Sequence, residues 1–323
     1  MKTLVFGPVP SRRLGFSLGV DLIPRKYCSF DCIYCQLGAT AKTEVERQSF
    51  YEPALIVEQV VESVKEGARI DCISLSGSGE PTLNSDIGWV IERLKEKVSL
   101  PVAVITNGSL LSRKDVRKDL MLADIVLPSL DAASEAVYRQ VNRPHDSLEF
   151  AGIVEGLKAF CKAYKGRIWL EVMLINKINN DEQHIEMFKR IVDSISVDKV
   201  QLNTVARPPA EKTAMPVAGT DLLSISRFFG DRCEVVAGKG QKQTARAGGE
   251  DWQESVLAML RRRSLSLDDI VSATGVSIST ARAGMKRLAE KEKVRAVVLG
   301  RRRFYVAAVD EGSYARGLPL TKR

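Results

Sequence analysis

Three cysteines, Cys28, Cys32 and Cys35, lie within eight residues in the spacing C-x3-C-x2-C. Thiolates are soft ligands, and three together suit zinc, copper(I) or an iron–sulfur cluster. A structural zinc site takes four ligands, and the two histidines, His145 and His184, are remote in sequence. On a four-iron cube, three thiolates leave one iron open to another molecule. The remaining cysteines, Cys72, Cys161 and Cys233, are scattered and read as small buried hydrophobes. A second segment with chemical content is Gly77-Ser78-Gly79-Glu80-Pro81-Thr82. Its glycines let backbone approach a ligand closely, and its carboxylate can pair with an ammonium. Taken alone, the same segment also reads as an ordinary turn.

The elements that must position these residues alternate along the chain. Strand-like stretches fall at 17–22, 71–76, 101–106, 123–130, 167–175 and 198–204. Between them lie helical patterns at 54–66, 85–97, 112–121, 133–140, 148–163 and 181–195. Such alternation predicts parallel strands joined by right-handed crossovers, an α/β fold in the form of a partial (β/α)6 barrel. Six units are fewer than the eight that close a complete barrel. Ligands gather beyond the carboxyl ends of such strands, where the cysteines, SGSGEPT, TNG and SLDA all fall. A helix at 220–230 and a short strand at 233–237 complete a body of residues 1–237.

With Tyr34 directly before the last cysteine, the cysteine spacing resembles the radical S-adenosylmethionine superfamily. The resemblance covers about residues 15–210, in correct order and strand context. It implies a 4Fe–4S cluster on Cys28, Cys32 and Cys35, with S-adenosylmethionine as the second cofactor. Gly77, Ser78, Gly79, Glu80 and Pro81 are similar to the family's Gly-Gly-Glu-Pro-like segment, which receives the methionine amino group. Ser129 and Asp131 match the place where the family often contacts the cofactor's ribose or carboxylate. Thr106 and Asn107 line the mouth after the third strand, and Asn203 and Arg207 border an adenine pocket. Turn, cap or surface roles suit each of these equally. Glu171 reads as either a barrel-interior contact or an outward surface group. The implied reaction begins with one electron from a donor such as flavodoxin or ferredoxin. S-adenosylmethionine is then cleaved to methionine and a 5′-deoxyadenosyl radical, which abstracts hydrogen from an unreactive C–H bond.

The stretches at 6–38 and 76–84 look like the group that includes wyosine-type tRNA base synthases. Two departures stand out: no second cysteine set precedes Cys28, and that group does not normally end in a winged helix. Here residues 238–250 have linker composition, with four glycines and alanine as the single apolar type. After them, residues 251–323 show three helical patterns and a basic hairpin, which resemble a winged helix-turn-helix. Gly275 ends the second helix and Ser277 caps the third. This segment holds 15 Lys and Arg against 8 Asp and Glu, while the first 250 residues hold 33 against 32. The excess suits a polyanion, with Arg282, Lys286, Arg287 and Arg301–Arg303 facing RNA or DNA phosphates. A peptide docked against the wing and a structural lid are the other two roles that the segment admits. A non-catalytic iron–sulfur sensor that binds DNA would not need Glu80 in its context. The linker also predicts that residues 1–240 fold and cleave S-adenosylmethionine by themselves. An apolar content of 45% with 27% charged residues excludes a disordered or fibrous chain. No apolar run approaches the roughly 18 residues that span a bilayer, and no signal-peptide block opens the chain. The expectation is a cytoplasmic enzyme with no membrane partner.

Overall fold

The computed structural model describes residues 3–237, 252–300 and 302–308, so the expected linker and Arg301 lie outside the described residues. Eight strands form one open sheet whose spatial order is the chain order. They are β1 (Val5–Ser11), β2 (Gly15–Val20), β3 (Cys72–Leu75), β4 (Val102–Thr106), β5 (Ile125–Pro128), β6 (Arg167–Leu174), β7 (Lys199–Thr204) and β8 (Cys233–Val235). From β2 to β8 every pairing is parallel; β1 alone runs antiparallel, as a hairpin with β2. The six expected units correspond to β2–β7, and the expected short strand to β8. Seven of the eight strands thus match expected ones, and β1 is the addition. Its VFGPVPS sequence carries Pro8 and Pro10, which argue against an interior strand. An edge strand tolerates them, here with a register shift between Phe6 and Val9.

Helices α1 (Pro53–Lys65), α2 (Ile87–Lys97), α3 (Lys114–Asp119), α4 (Glu135–Asn142), α5 (Phe150–Ala163), α6 (Glu182–Asp193) and α7 (Gly219–Phe229) fill the crossovers. Their boundaries are written in side chains. Pro53 sits at the start of α1, while Ser134 and Asp181 accept the N–H groups of Val137 and His184 to cap α4 and α6. All of these helices but α4 lay one apolar face on the outer side of the sheet, as Ile56, Val57 and Val60 of α1 do, while α4 packs Tyr138 with Phe30 and Val141 with Ile33. Residues of the opposite parity line the inner face. Near its floor, Leu14 of the β1–β2 turn packs on Cys72, Ala103, Ile125, Leu127 and Trp169. Other inner-face positions are polar and buried, including Ser74, Glu171 and Asn203. Cys72 and Cys161 are buried as expected, and Cys233 is half-buried.

The C-terminal segment has α8 (Trp252–Leu260), α9 (Leu267–Thr274), α10 (Ile278–Glu290) and an antiparallel pair, β9 (Val294–Leu299) with β10 (Arg302–Ala307). A reciprocal Ser266–Asp269 capping box opens α9, left-handed Gly275 closes it, and Ser277 caps α10. The apolar faces of these elements form one cluster with Phe6 and Val9 of β1. The edge strand is thus covered by the C-terminal helices. Among the described residues no helix is long and apolar enough to cross a membrane.

Candidate functional site

The three cysteines follow β2 on a loop clamped from two sides. From the end of α4, the carbonyl of Asn142 accepts from Asp31 N–H, and that of Val141 from Ile33 N–H, each at 3.0 Å. From the loop after β3, the Ser78 carbonyl accepts from Lys26 N–H at 2.6 Å, and Glu80 N–H donates to the Tyr27 carbonyl at 3.1 Å. Cys28, Cys32 and Cys35 line one cavity of about 270 Å³, together with Lys26, Tyr34 and the Gly77–Gly79 backbone.

Each sulfur faces one nitrogen donor. Asn107 Nδ2 lies 3.6 Å from Cys28 Sγ, Asn142 Nδ2 lies 3.5 Å from Cys32 Sγ, and Lys26 Nζ lies 3.4 Å from Cys35 Sγ. Burial pushes the Cys28 thiol up to about 12 and the Cys32 thiol well above its usual range. The free Cys28 and Cys32 thiols are therefore held protonated, and their amide donors favour thiolate once a metal displaces the proton. Lys26 takes a left-handed φ of 62°, a conformation that side chains other than glycine rarely adopt. Among the described residues, no three His, Cys, Asp or Glu side chains close on a single-ion site. Three thiols around one cavity, each with an N–H partner, fit an iron–sulfur cluster.

The glycine loop packs closely on its neighbours, Tyr27 and Asp21. Gly77 has φ of 123°, and a Cβ on Gly79 would stand 2.0 Å from the Tyr27 carbonyl oxygen. Behind it, the buried Asp21 carboxylate accepts from Ser78 N–H at 2.9 Å and from Ser78 Oγ at 2.6 Å. The same carboxylate takes Arg262 Nε at 2.9 Å, from just beyond α8, and both partners are buried. Arg262 also donates to the carbonyls of Thr3 and Ala258 at 2.9 Å, and its guanidinium lies 4.7 Å from the Phe6 ring centroid. One residue of the C-terminal segment therefore fixes the glycine loop through a single carboxylate.

Most of the other expected site residues either tie loops together or line the cavity. Glu80 does not line the cavity: its carboxylate is buried and accepts from Thr82 N–H, Thr82 Oγ1, Thr106 Oγ1 and Asn107 N–H at 3.1, 2.6, 2.6 and 2.7 Å. It straps the loop after β3 to the loop after β4. Pro81 opens a short buried turn away from the cavity, and Thr106 is occupied with Glu80. Asp131 accepts from Tyr34 Oη, from Asn142 Nδ2 at 2.9 Å and from Met173 N–H at 3.2 Å, so it orients the cavity wall from behind. Ser129 lies with Asp131 on a small neighbouring hollow. Asn203 and Arg207 do line the cysteine cavity, with Glu171 inside the sheet's concave face. Asn203 Nδ2 donates to Glu171 Oε1 at 3.0 Å, and Arg13 forms an ion pair with Glu171. Residues not singled out beforehand include Arg12, Arg13, Asp21, Lys26, Asn142 and Arg262. Lys26, two residues before Cys28, carried a sequence signal; Asn142 and Arg262 carried none short of the tertiary fold.

An open sheet of parallel strands with a three-cysteine loop at its carboxyl end defines the class. Residues 22–189, more than half of the chain, match the Radical SAM superfamily, so the chain belongs to that superfamily and is an enzyme. Within it, the chain is 41% identical over 231 residues to UPF0026 protein MJ1312 of Methanocaldococcus jannaschii, covering 71% of this chain and 72% of that one. It is also 35% identical over 297 residues to a Brachyspira hyodysenteriae protein named GTPase Obg, covering 90% of this chain but only 43% of that longer one. Among solved structures, a radical SAM methyltransferase from Sphaerobacter thermophilus superposes with a TM-score of 0.52 at 16% identity, over 68% of this chain and 66% of that one. That likeness is one of fold.

Proposed function

We propose that this enzyme holds a 4Fe–4S cluster on Cys28, Cys32 and Cys35, cleaves S-adenosylmethionine, and abstracts hydrogen from a base in RNA. The observation that carries the cofactor part is the convergence of three thiols, each met by an N–H donor, in a cavity that the Gly77–Gly79 backbone also lines. Bound there, the two cofactors supply one-electron reductive chemistry and a carbon-centred radical. The chain supplies the rest. Gly77 and Gly79 leave room for the amino-acid end of S-adenosylmethionine, while Tyr34 and Asn203 stand on the surrounding wall. Glu80 and Asp131 hold that wall without facing it. Arg13, Glu171 and Asn203 line the concave face beyond, where a substrate would be kept from water.

The RNA part rests on charge. Arg282, Lys286 and Arg287 are exposed on α10, and Arg302 and Arg303 on β10, which suits phosphate contacts in a winged-helix manner. The electron would come from a small donor such as flavodoxin or ferredoxin.

Anaerobic reconstitution of the native chain and of the Cys28→Ala, Cys32→Ala, Cys35→Ala triple variant tests the cluster. The triple variant should lose iron and sulfide although Cys72, Cys161 and Cys233 remain; full retention would refute the ligand set. With S-adenosylmethionine and dithionite, the native protein should release methionine and 5′-deoxyadenosine. Nucleoside analysis of RNA from a deletion strain then tests the substrate: an unchanged modification profile would refute RNA in favour of a peptide or another acceptor.

A further inference from the structure

The cysteine cavity does not end at its own walls. Arg12, Ala206 and Arg207 line it and also line a cleft of about 480 Å³ between the sheet and the C-terminal segment. On the far side, that cleft is bounded by Arg302, Arg303 and Phe304 of β10 and by the start of α9. Its cations are held in place by hydrogen bonds and ion pairs. Arg12 Nη1 donates to Asn203 Oδ1 at 3.0 Å. Arg207 donates to the Ser264 carbonyl and, at 3.1 and 3.2 Å, to the two oxygens of Asp269. Arg263 approaches Asp269 at 3.5 Å, and Arg13 pairs with Glu171. Of these, Arg12 and Arg207 line the cleft with Arg302 and Arg303, so four guanidiniums face it against the two carboxylates of Asp268 and Asp269, while Arg13 and Arg263 stand outside its wall. Burial, together with Arg207, lowers Arg12 to about 10, and burial with Arg207 lowers Arg263 to about 9. A like-charged cluster of this kind is relieved by an anion.

We infer that this cleft seats a phosphate group of the substrate, between Arg12 and Arg207 on one side and Arg302 and Arg303 on the other, while the attached nucleoside reaches into the cysteine cavity. Planar guanidiniums suit phosphate oxygens, and the Phe304 ring beside Arg207 gives the cleft an apolar flank. The inference rests on the reading of RNA as substrate, but the phosphate could equally belong to a free nucleotide.

The test measures binding of total tRNA, of a guanosine nucleotide and of inorganic phosphate to the full reconstituted chain across a salt series. Four proteins are compared: wild type, Arg302→Gln/Arg303→Gln, Arg12→Gln, and Arg190→Ala as an exposed control on α6. Both arginines of the double variant are exposed, and circular dichroism verifies the fold of each variant. The double variant should bind tRNA about tenfold more weakly and lower the salt slope by about two, while the control binds as wild type. If tRNA binds the double variant and a separate Arg12→Gln variant as it binds wild type, the cleft is refuted and the RNA reading stands. If tRNA fails to bind wild type while the nucleotide or phosphate binds and is weakened by these variants, the RNA reading fails and the cleft stands. If none of the probes binds, both fail.

Discussion

At the scale of single residues, the site depends on carboxylates that tie its loops together. Glu80 gathers four donors from two loops, so Glu80→Ala leaves three buried donors and one half-buried donor without this acceptor. We expect a loss of about 2–4 kcal/mol in stability, seen in denaturant titration, with weaker binding of S-adenosylmethionine following from loop displacement. Full stability with weak cofactor binding would restore the direct ammonium contact. His184 offers a pH test. Ala133 N–H donates to its Nε2 at 3.0 Å, which requires an unprotonated nitrogen, and burial holds the imidazole below its usual range. As pH falls, the unfolded chain takes up this proton before the folded one. The contribution is complete above roughly pH 6.5 and is lost as pH drops through the folded value. Scanning calorimetry should show the melting temperature falling below that pH, and less steeply in His184→Gln; identical profiles would remove His184 from the account. The cysteines were legible from type and spacing alone. The roles of Glu80 and Asp131 were not, because a carboxylate that binds a ligand and one that ties loops together look the same until their donors are placed.

At the scale of elements, the crossover units were legible because apolar runs and helical faces repeat with different periods. The β1 strand was hidden by its two prolines, and its partners were hidden by distance: Phe6 and Val9 pack on α8–α10. The contact between Arg262 and Asp21 makes this junction functional. Breaking a buried ion pair by removing one partner costs about 3–5 kcal/mol, because the other charge is left desolvated. Arg262→Met should therefore lower the melting temperature, and it should also weaken S-adenosylmethionine binding, since Asp21 holds Ser78. Adding Asp21→Asn should recover part of the stability but not the cofactor affinity. Unaltered affinity in Arg262→Met, by titration calorimetry, would show that the glycine loop is set without the C-terminal segment.

At the scale of the whole molecule, the composition of residues 238–250 led to the expectation that residues 1–240 act alone. The junction argues otherwise. Removing the C-terminal segment uncovers Phe6 and Val9 and strands Asp21, so the truncated chain should melt lower and bind S-adenosylmethionine more weakly than the full chain. Equal melting temperatures for both proteins would return the segment to the role of a separate recognition module. The covering of β1 by α8–α10 also has a consequence in time. Phe6 leaves the ribosome about 250 residues before Val256, the first of its cluster partners on α8. At roughly 5–20 residues per second, the edge strand waits on the order of ten to fifty seconds for its cover. During synthesis, therefore, the nascent body exposes an apolar edge strand, which makes it a client for chaperones until the last helices emerge.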